Sequence, residues 1–266
     1  MPSYVVEIQV TEEQKDFLLA ELMDFGTTGV SETETSHGQF LLRASFETRE
    51  QAANFGDQIE IDDTDWVSAS HRPWASRLVG QRFFFAPAWS DEPTPEGRWR
   101  IPYQDGAACG SGEHPSTRQC LEAMEDFLQP GMRVLDIGCG AGLLSYGAKL
   151  LGASFVAGVD IEADSCVLTR QLAGIPVVQG SANAIHGDFD LIAANVSASV
   201  LLDLADEILR LAKPGARLIL AGFGAEEAHV VKSVFATGPV KERIEKFGND
   251  DWSCLALDIP SLDTGY

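Results

Sequence analysis

The chain has 266 residues, with 19 Lys and Arg against 40 Asp and Glu, giving a formal net charge of −21. Hydrophobic residues make up 45% and charged residues 22%, a globular composition that excludes a disordered chain. So large an acidic surplus also speaks against a long-range nucleic-acid binder, because phosphate backbones are gripped by Lys and Arg, and it favours a basic partner instead.

At roughly 150 residues per domain, the length implies one large domain or two unequal ones. The start, Met1-Pro2-Ser3-Tyr4-Val5-Val6-Glu7, has neither the cationic flank nor the apolar core of a signal peptide. No apolar run approaches the ~20 residues that span a bilayer. Five cysteines, Cys109, Cys120, Cys139, Cys166 and Cys254, are scattered without a CxxC pair, against a disulfide framework or a zinc site. These features read as a soluble cytoplasmic protein.

Residues 1–70 alternate short strand and helix patterns. Residues 4–10 are β-rich, with polar Glu7 and Gln9 between apolar neighbours. Thr11 then caps a helix, with Glu12 and Glu13 at its positive end and apolar Phe17, Leu18, Leu22 and Phe25 along it, until Gly26 stops it. Residues 39–46 read as another strand, 48–58 as a short helix and 65–70 as an extended piece. The order βαββαβ predicts a small α+β, ferredoxin-like unit.

Residues 71–100 mix Pro73, Pro87, Pro93 and Pro95 with Trp74, Phe83–Phe85, Trp89 and Trp99. The prolines exclude a continuous helix, and the rings are too many for a free linker. The segment reads as a connector whose rings pack onto a neighbouring domain, with Phe83–Phe85 as core.

Residues 101–262 alternate between strand and helix. The predicted strands are 133–137, 155–159, 176–179, 190–195, 217–222, 240–247 and 252–259. Apolar spacing predicts one buried helix face at Leu143, Leu144, Ala148 and Leu151, and another at Val200, Leu201, Leu204, Ile208 and Leu211. Such alternation implies a mostly parallel sheet covered on both sides. The last two strands are separated only by Gly248-Asn249-Asp250-Asp251 and should pair antiparallel.

The strongest local feature is Val134-Leu135-Asp136-Ile137-Gly138-Cys139-Gly140-Ala141-Gly142. An apolar strand runs into three glycines at alternate positions, and a helix follows at once. The glycines permit a sharp turn and close approach of a ligand to the backbone, and the helix start offers free N–H groups. The second strand ends at Asp160, 22 residues after Gly138, where a carboxylate can accept both hydroxyls of a ribose. Leu143 stands where a third GxGxxG spacing would need glycine, against a dinucleotide site. Asp136, two residues before Gly138, suits an ammonium better than a pyrophosphate, and S-adenosylmethionine carries an ammonium, a ribose and no phosphate.

The run Cys109-Gly110-Ser111-Gly112-Glu113-His114-Pro115-Ser116-Thr117 resembles the FGTGTHPTT signature of the ribosomal protein L11 methyltransferase (PrmA) family. Asp136–Gly142 is similar to that family's DFGCGSG element, Gly158–Ile161 to GIDID and Ala194–Val196 to ANI. Trp66, Gly80, Pro87 and Trp89 are spaced like its connector positions. The chain departs from the pattern at Gln104-Asp105-Gly106, Cys109, Ser70 and Ser197.

The resemblance implies a Rossmann-like, seven-stranded class I methyltransferase domain behind a smaller ferredoxin-like domain that recruits the substrate protein. It implies S-adenosylmethionine as methyl donor and a basic ribosomal protein as acceptor, with Thr117, Gly138, Asp160 and Asn195 at the cofactor. Asp136 and Gly140 complete the predicted cofactor set, and adenine contacts are expected near Ser181 and Ala182. No metal, nucleic acid or membrane is called for.

A lysine amine has a pKa of ~10.4, so near neutral pH about one part in a thousand is unprotonated, at a cost of ~4 kcal/mol. Burial beside a sulfonium lowers that pKa. Asn195 is the predicted catalytic residue, because its neutral amide oxygen can accept from a neutral amine and aim the lone pair, whereas a carboxylate would stabilise the unreactive ammonium. His114, just before Pro115 at a helix start, reads as a loop residue over the cofactor rather than a general base. The competing readings are methylation of another protein or small amine, a non-catalytic cofactor-binding module and an NAD-linked oxidoreductase.

Overall fold

Val134, Leu135 and Ile137 on the strand before the glycine turn are all buried, as a strand covered on both faces requires. This strand lies in the interior of a seven-stranded sheet in a computed structural model that describes residues 3–36, 39–56, 59–61, 76–103, 114–236, 238–248 and 250–261. The chain divides into two compact units, Met1–Trp74 and Ala75–Tyr266.

In the first unit, β1 (Ser3–Thr11) leads through α1 (Glu12–Asp24) to β2 (Gly29–Ser36) and β3 (Gln39–Phe46). Then α2 (Arg49–Ala52) leads to β4 (Ile59–Ile61). Gln14 accepts the Thr11 N–H, closing the helix start. Gly26, at φ 81°, ends the helix. The sheet order β2-β3-β1-β4, antiparallel throughout, is the predicted ferredoxin-like arrangement, with Val6, Val10, Leu22, Leu42, Ala44 and Phe46 in its core. The strand 29–36 escaped the sequence reading because Glu32, Thr33 and Glu34 dilute any apolar alternation. The last strand pairs at Ile59–Ile61; the extended piece expected at 65–70 lies outside the described residues.

The second unit opens with β5 (Arg77–Val79), β6 (Phe83–Pro87) and β7 (Trp99–Tyr103), a three-stranded sheet in the Pro- and aromatic-rich segment. Phe83, Phe84 and Phe85 are buried. Arg98 donates to the carbonyls of Gly80 and Phe83, and Arg100 to those of Glu92 and Ser90, so two guanidinium groups help hold a loop in which the proline nitrogens cannot donate.

The large sheet follows: β8 (Arg133–Ile137), β9 (Phe155–Asp160), β10 (Val177–Gln179), β11 (Phe189–Asn195), β12 (Ala212–Gly224), β13 (Val240–Phe247) and β14 (Asp250–Asp258). Their order is β10-β9-β8-β11-β12-β14-β13, with β8 to β12 parallel and β14 antiparallel to both neighbours. The helices are α3 (Pro115–Phe127), α4 (Leu143–Leu150), α5 (Ala163–Ala173), α6 (Ala198–Asp203), α7 (Ala205–Leu211) and α8 (Ala228–Phe235). The sequence order grows outward from β8 through β9 to β10 and then restarts at β11 on β8's other side. That reversal opens a crevice at the carboxyl ends of β8 and β11, where ligands of open α/β sheets bind.

One predicted helix face is corrected. The apolar residues from Val200 to Leu211 lie on two helices, because Leu204 at φ −100°, ψ 9° ends α6 and starts α7. The bend lets Leu201 and Ile208 both reach the core and turns Val200 outward, 39% exposed.

Candidate active site

The glycine turn is a close-approach device. Gly138, Gly140 and Gly142 have φ of 69°, 51° and 83°, a region costly to residues with a Cβ. A Cβ on Gly138 would stand 2.5 Å from Val196 Cγ1, and one on Gly142 would stand 2.8 Å from Thr169 Cα. Gly138 N–H donates to the Val159 carbonyl at 2.8 Å, and Thr169 Oγ1 donates to the Gly140 carbonyl at 2.9 Å, so the turn is pinned to both β9 and α5.

Asp160 stands at the tip of β9. Its Oδ2 accepts the Gly140 N–H at 2.8 Å and its Oδ1 the Glu162 N–H at 3.0 Å. Each carboxylate oxygen has further lone pairs for a ligand. The next residue, Ile161, is 69% exposed, an apolar surface beside the acid. Of the two residues expected near an adenine, Ser181 is half-buried, whereas Ala182 is fully buried in the core and offers no side chain to a ligand.

Asp136, on β8, is fully enclosed. Ser145 Oγ, on α4, donates to its Oδ2 at 2.6 Å, and its Oδ1 is buried with no hydrogen-bond partner among the described residues. Burial pushes the carboxyl up to about 6, and Asp160 pushes the same way, against the lowering effect of the Ser145 hydrogen bonds. The native state therefore takes a proton that the unfolded chain releases. The resulting stability is full below the ordinary value of 3.8 and is lost as pH rises through about 6, about 3 kcal/mol in all. Asp136→Asn, neutral at every pH and still able to accept from Ser145, is expected to be more stable than the parent at pH 8. The gap should close toward pH 4. Urea unfolding at both pH values checks this, and a gap of constant size would count against an ionised buried carboxyl.

Asn195 ends β11, held on one side by the pairing of its neighbour Ala194 with Ile137 and on the other by its own pairing with Ala221. The register shifts at Gly222, whose φ of 97° bends β12 away; a Cβ there would stand 2.6 Å from the Val196 carbonyl oxygen. Val196 thus sits between two glycines, Gly138 and Gly222, and the chain after Asn195 has one path. The Asn195 Nδ2 donates to Thr117 Oγ1, 3.2 Å away. Thr117 is 5% exposed, in the first turn of α3.

α3 is seated by buried Cys120, Leu121 and Met124, with surface pairs from Arg118 to Glu245 and from Asp126 to Lys241 and Arg243 adding little. His114 caps it. Its Nδ1 accepts the Ser116 N–H at 3.3 Å, with Ser116 Oγ at 2.7 Å. Its ring meets Trp252 edge-on at 4.1 Å and Phe247 at 5.4 Å. Burial, and then Arg118, lowers its pKa, so the ring is neutral near pH 7. With Nδ1 accepting, the proton sits on Nε2. A protonated Nε2 is a donor, which suits the helix-capping role and not a general base. The preceding residues 104–113, with Cys109, Gly106, Gly110 and Gly112, lie outside the described residues.

Five predicted site residues, Asp136, Gly138, Gly140, Asp160 and Asn195, therefore lie at or beside the carboxyl ends of three adjacent strands, and the sixth, Thr117, is hydrogen-bonded to Asn195. Sequence reasoning missed Ser145, Thr169, Gly222, Trp252 and Phe247. Thr169, Gly222, Trp252 and Phe247 come from segments distant from the turn, Ser145 lies on the helix that follows it, and none carries a local signature beyond its residue type. Cys139, with its thiol pushed up to about 12 by burial, is inert packing.

The sheet order and the glycine turn define a Rossmann-like class I methyltransferase fold. Residues 32–259 match the sequence profile of the ribosomal protein L11 methyltransferase (PrmA) family, and the chain belongs to that family. Ribosomal protein L11 methyltransferases of Burkholderia multivorans and Ralstonia nicotianae are 35% and 33% identical over 68% and 74% of this chain. The matches span 61% and 66% of those relatives' own lengths. The crystal structure of a ribosomal protein L11 methylase from Lactobacillus delbrueckii subsp. bulgaricus, 23% identical, shares the fold with a TM-score of 0.60 over 69% of this chain and 96% of that one. Among the described residues, no helix is long and apolar enough to cross a membrane.

Proposed function

We propose that the protein transfers methyl groups from S-adenosylmethionine to lysine side-chain or N-terminal amines of a basic ribosomal protein of the L11 type, in the cytoplasm. The observation that carries this reading is a neutral carboxamide, Asn195, at the switch-point crevice beside a glycine turn and a strand-tip acid. When bound there, S-adenosylmethionine supplies an electrophilic methyl on a sulfonium.

The donor set suits that molecule. Asp160 has lone pairs for two ribose hydroxyls, and Ile161 has apolar surface for a base. Asp136 and Asp160 favour a cationic ligand, and residues 134–143 contain no Lys or Arg to hold a pyrophosphate. Thr117 and the N–H groups of the turn are candidates for the ligand's carboxylate. Asn195 Oδ1 accepts no hydrogen bond from any described residue, so it is free to take an N–H of a neutral amine and direct the lone pair. A neutral acceptor matters here, since an anion would raise the amine's pKa. Positioning of this kind is worth ~7–11 kcal/mol at best. The acidic chain and the names of the relatives both favour a basic protein acceptor, with the ferredoxin-like unit recruiting it.

The test is to incubate the protein with methyl-labelled S-adenosylmethionine and unmethylated ribosomal proteins and to map the label by mass spectrometry. Label on amine nitrogens of L11 is expected. Label confined to another protein overturns the acceptor, and cofactor binding without any transfer overturns the catalysis.

A further inference from the structure

Asn195 has its backbone fixed but not, by that alone, its carboxamide. The strand pairing and the two glycines around Val196 settle where the side chain leaves the chain. The terminal torsion of an asparagine is broad and roughly two-fold, so the amide could present either its oxygen or its NH2 to the crevice. The two choices are chemically opposite. An oxygen accepts from the target amine and leaves its lone pair free for attack, whereas an NH2 group donates into that lone pair and blocks it.

We infer that Thr117 decides between them: it is a positioning residue whose hydroxyl oxygen takes the Asn195 NH2 group and thereby turns Oδ1 toward the acceptor amine. The hydrogen bond joins residues 78 positions apart, at 3.2 Å. Thr117 itself is well placed to be a fixed reference point. It lies on the first helical turn of α3, with its N–H donating to the His114 carbonyl at 3.2 Å, and it is 5% exposed. A β-branched side chain in a helix has few χ1 choices. A hydroxyl also donates once while accepting twice. Thr117 can therefore receive the Asn195 NH2 and still give its own proton to a second acceptor, such as an anionic group bound at the helix start. In that arrangement its lone pairs stay directed at the carboxamide, and each bond strengthens the other.

The geometric part of this inference stands on the fold alone, and its chemical consequence rests on the proposed function. The test separates them. In the cofactor-free full chain, the Asn195 side-chain NH2 signals are identified in a nitrogen-15 correlation spectrum as those missing from Asn195→Ala. They should lie apart from exposed amides, keep their position in Thr117→Ser and move to the exposed-amide position in Thr117→Val, which matches threonine in shape. With donor and acceptor both saturating, kcat should fall about 10-fold in Thr117→Val and stay within about 3-fold of the parent in Thr117→Ser, as the loss of one net hydrogen bond predicts. Unmoved Asn195 signals in Thr117→Val, or equal losses of kcat in both variants, would overturn the inference. Absence of transfer by the parent protein would overturn the proposed function instead, with the spectra still deciding whether the hydroxyl anchors the carboxamide.

Discussion

Asp160→Ala is expected to weaken S-adenosylmethionine binding by roughly 100-fold or more while leaving the chain folded. A carboxylate that accepts from two ribose hydroxyls makes two charge-assisted hydrogen bonds, each worth about 1.5–3 kcal/mol. The same side chain also holds the Gly140 and Glu162 N–H groups, so its removal loosens the glycine turn and adds a stability loss of about 1–2 kcal/mol. Asp160→Asn, which keeps acceptor capacity on only one terminal atom, should fall between the parent and the alanine variant. Isothermal titration gives the affinities and urea unfolding the stabilities. Binding of the donor by Asp160→Ala within threefold of the parent would remove the ribose role, whatever happened to stability.

Asn195→Ala should produce the complementary pattern, with kcat down about 100-fold and donor affinity within about threefold. The size follows from losing one preorganised polar group aimed at the reacting atoms, a change that typically costs a factor of 10²–10³. Asn195→Asp is nearly isosteric but places an anion beside the amine. It should stabilise the ammonium form, lower the rate at neutral pH and shift the remaining activity to higher pH. Single-turnover rates across pH 6.5–9.5, with donor affinity measured alongside, distinguish these outcomes. Equal losses of affinity and rate in Asn195→Ala would reassign the residue to cofactor binding.

Much of the fold was legible because it rests on local signals. The strands at 133–137 and 240–247 fall where predicted, the first because a short apolar run that stops at Gly138 marks a strand without reference to its partners. The antiparallel pairing of β13 with β14 followed from the shortness of their turn. Less legible were segments governed by other parts of the chain. The strand 29–36 is polar and is held by its neighbour β3. The helix break at Leu204 serves packing on the sheet, where Leu201 and Ile208 both reach the core. The sheet β5-β6-β7 is stabilised by arginines capping carbonyls across a proline-rich loop and by Glu125 on α3, which accepts the Gln81 and Arg82 N–H groups.

By itself the sequence determined the α/β class, the glycine turn, the strand-tip acid and the terminal asparagine of β11, because each depends on residue type and on spacing along one strand-turn-helix segment. Only the tertiary structure decided that Asp136 is sealed beneath Ser145, that Val196 is clasped between Gly138 and Gly222, that His114 is braced by Trp252 and Phe247, and that Thr117 meets Asn195. These relations join positions up to 138 residues apart. Burial and hydrogen-bond direction arise from where the whole sheet brings side chains together, and no local pattern encodes that meeting.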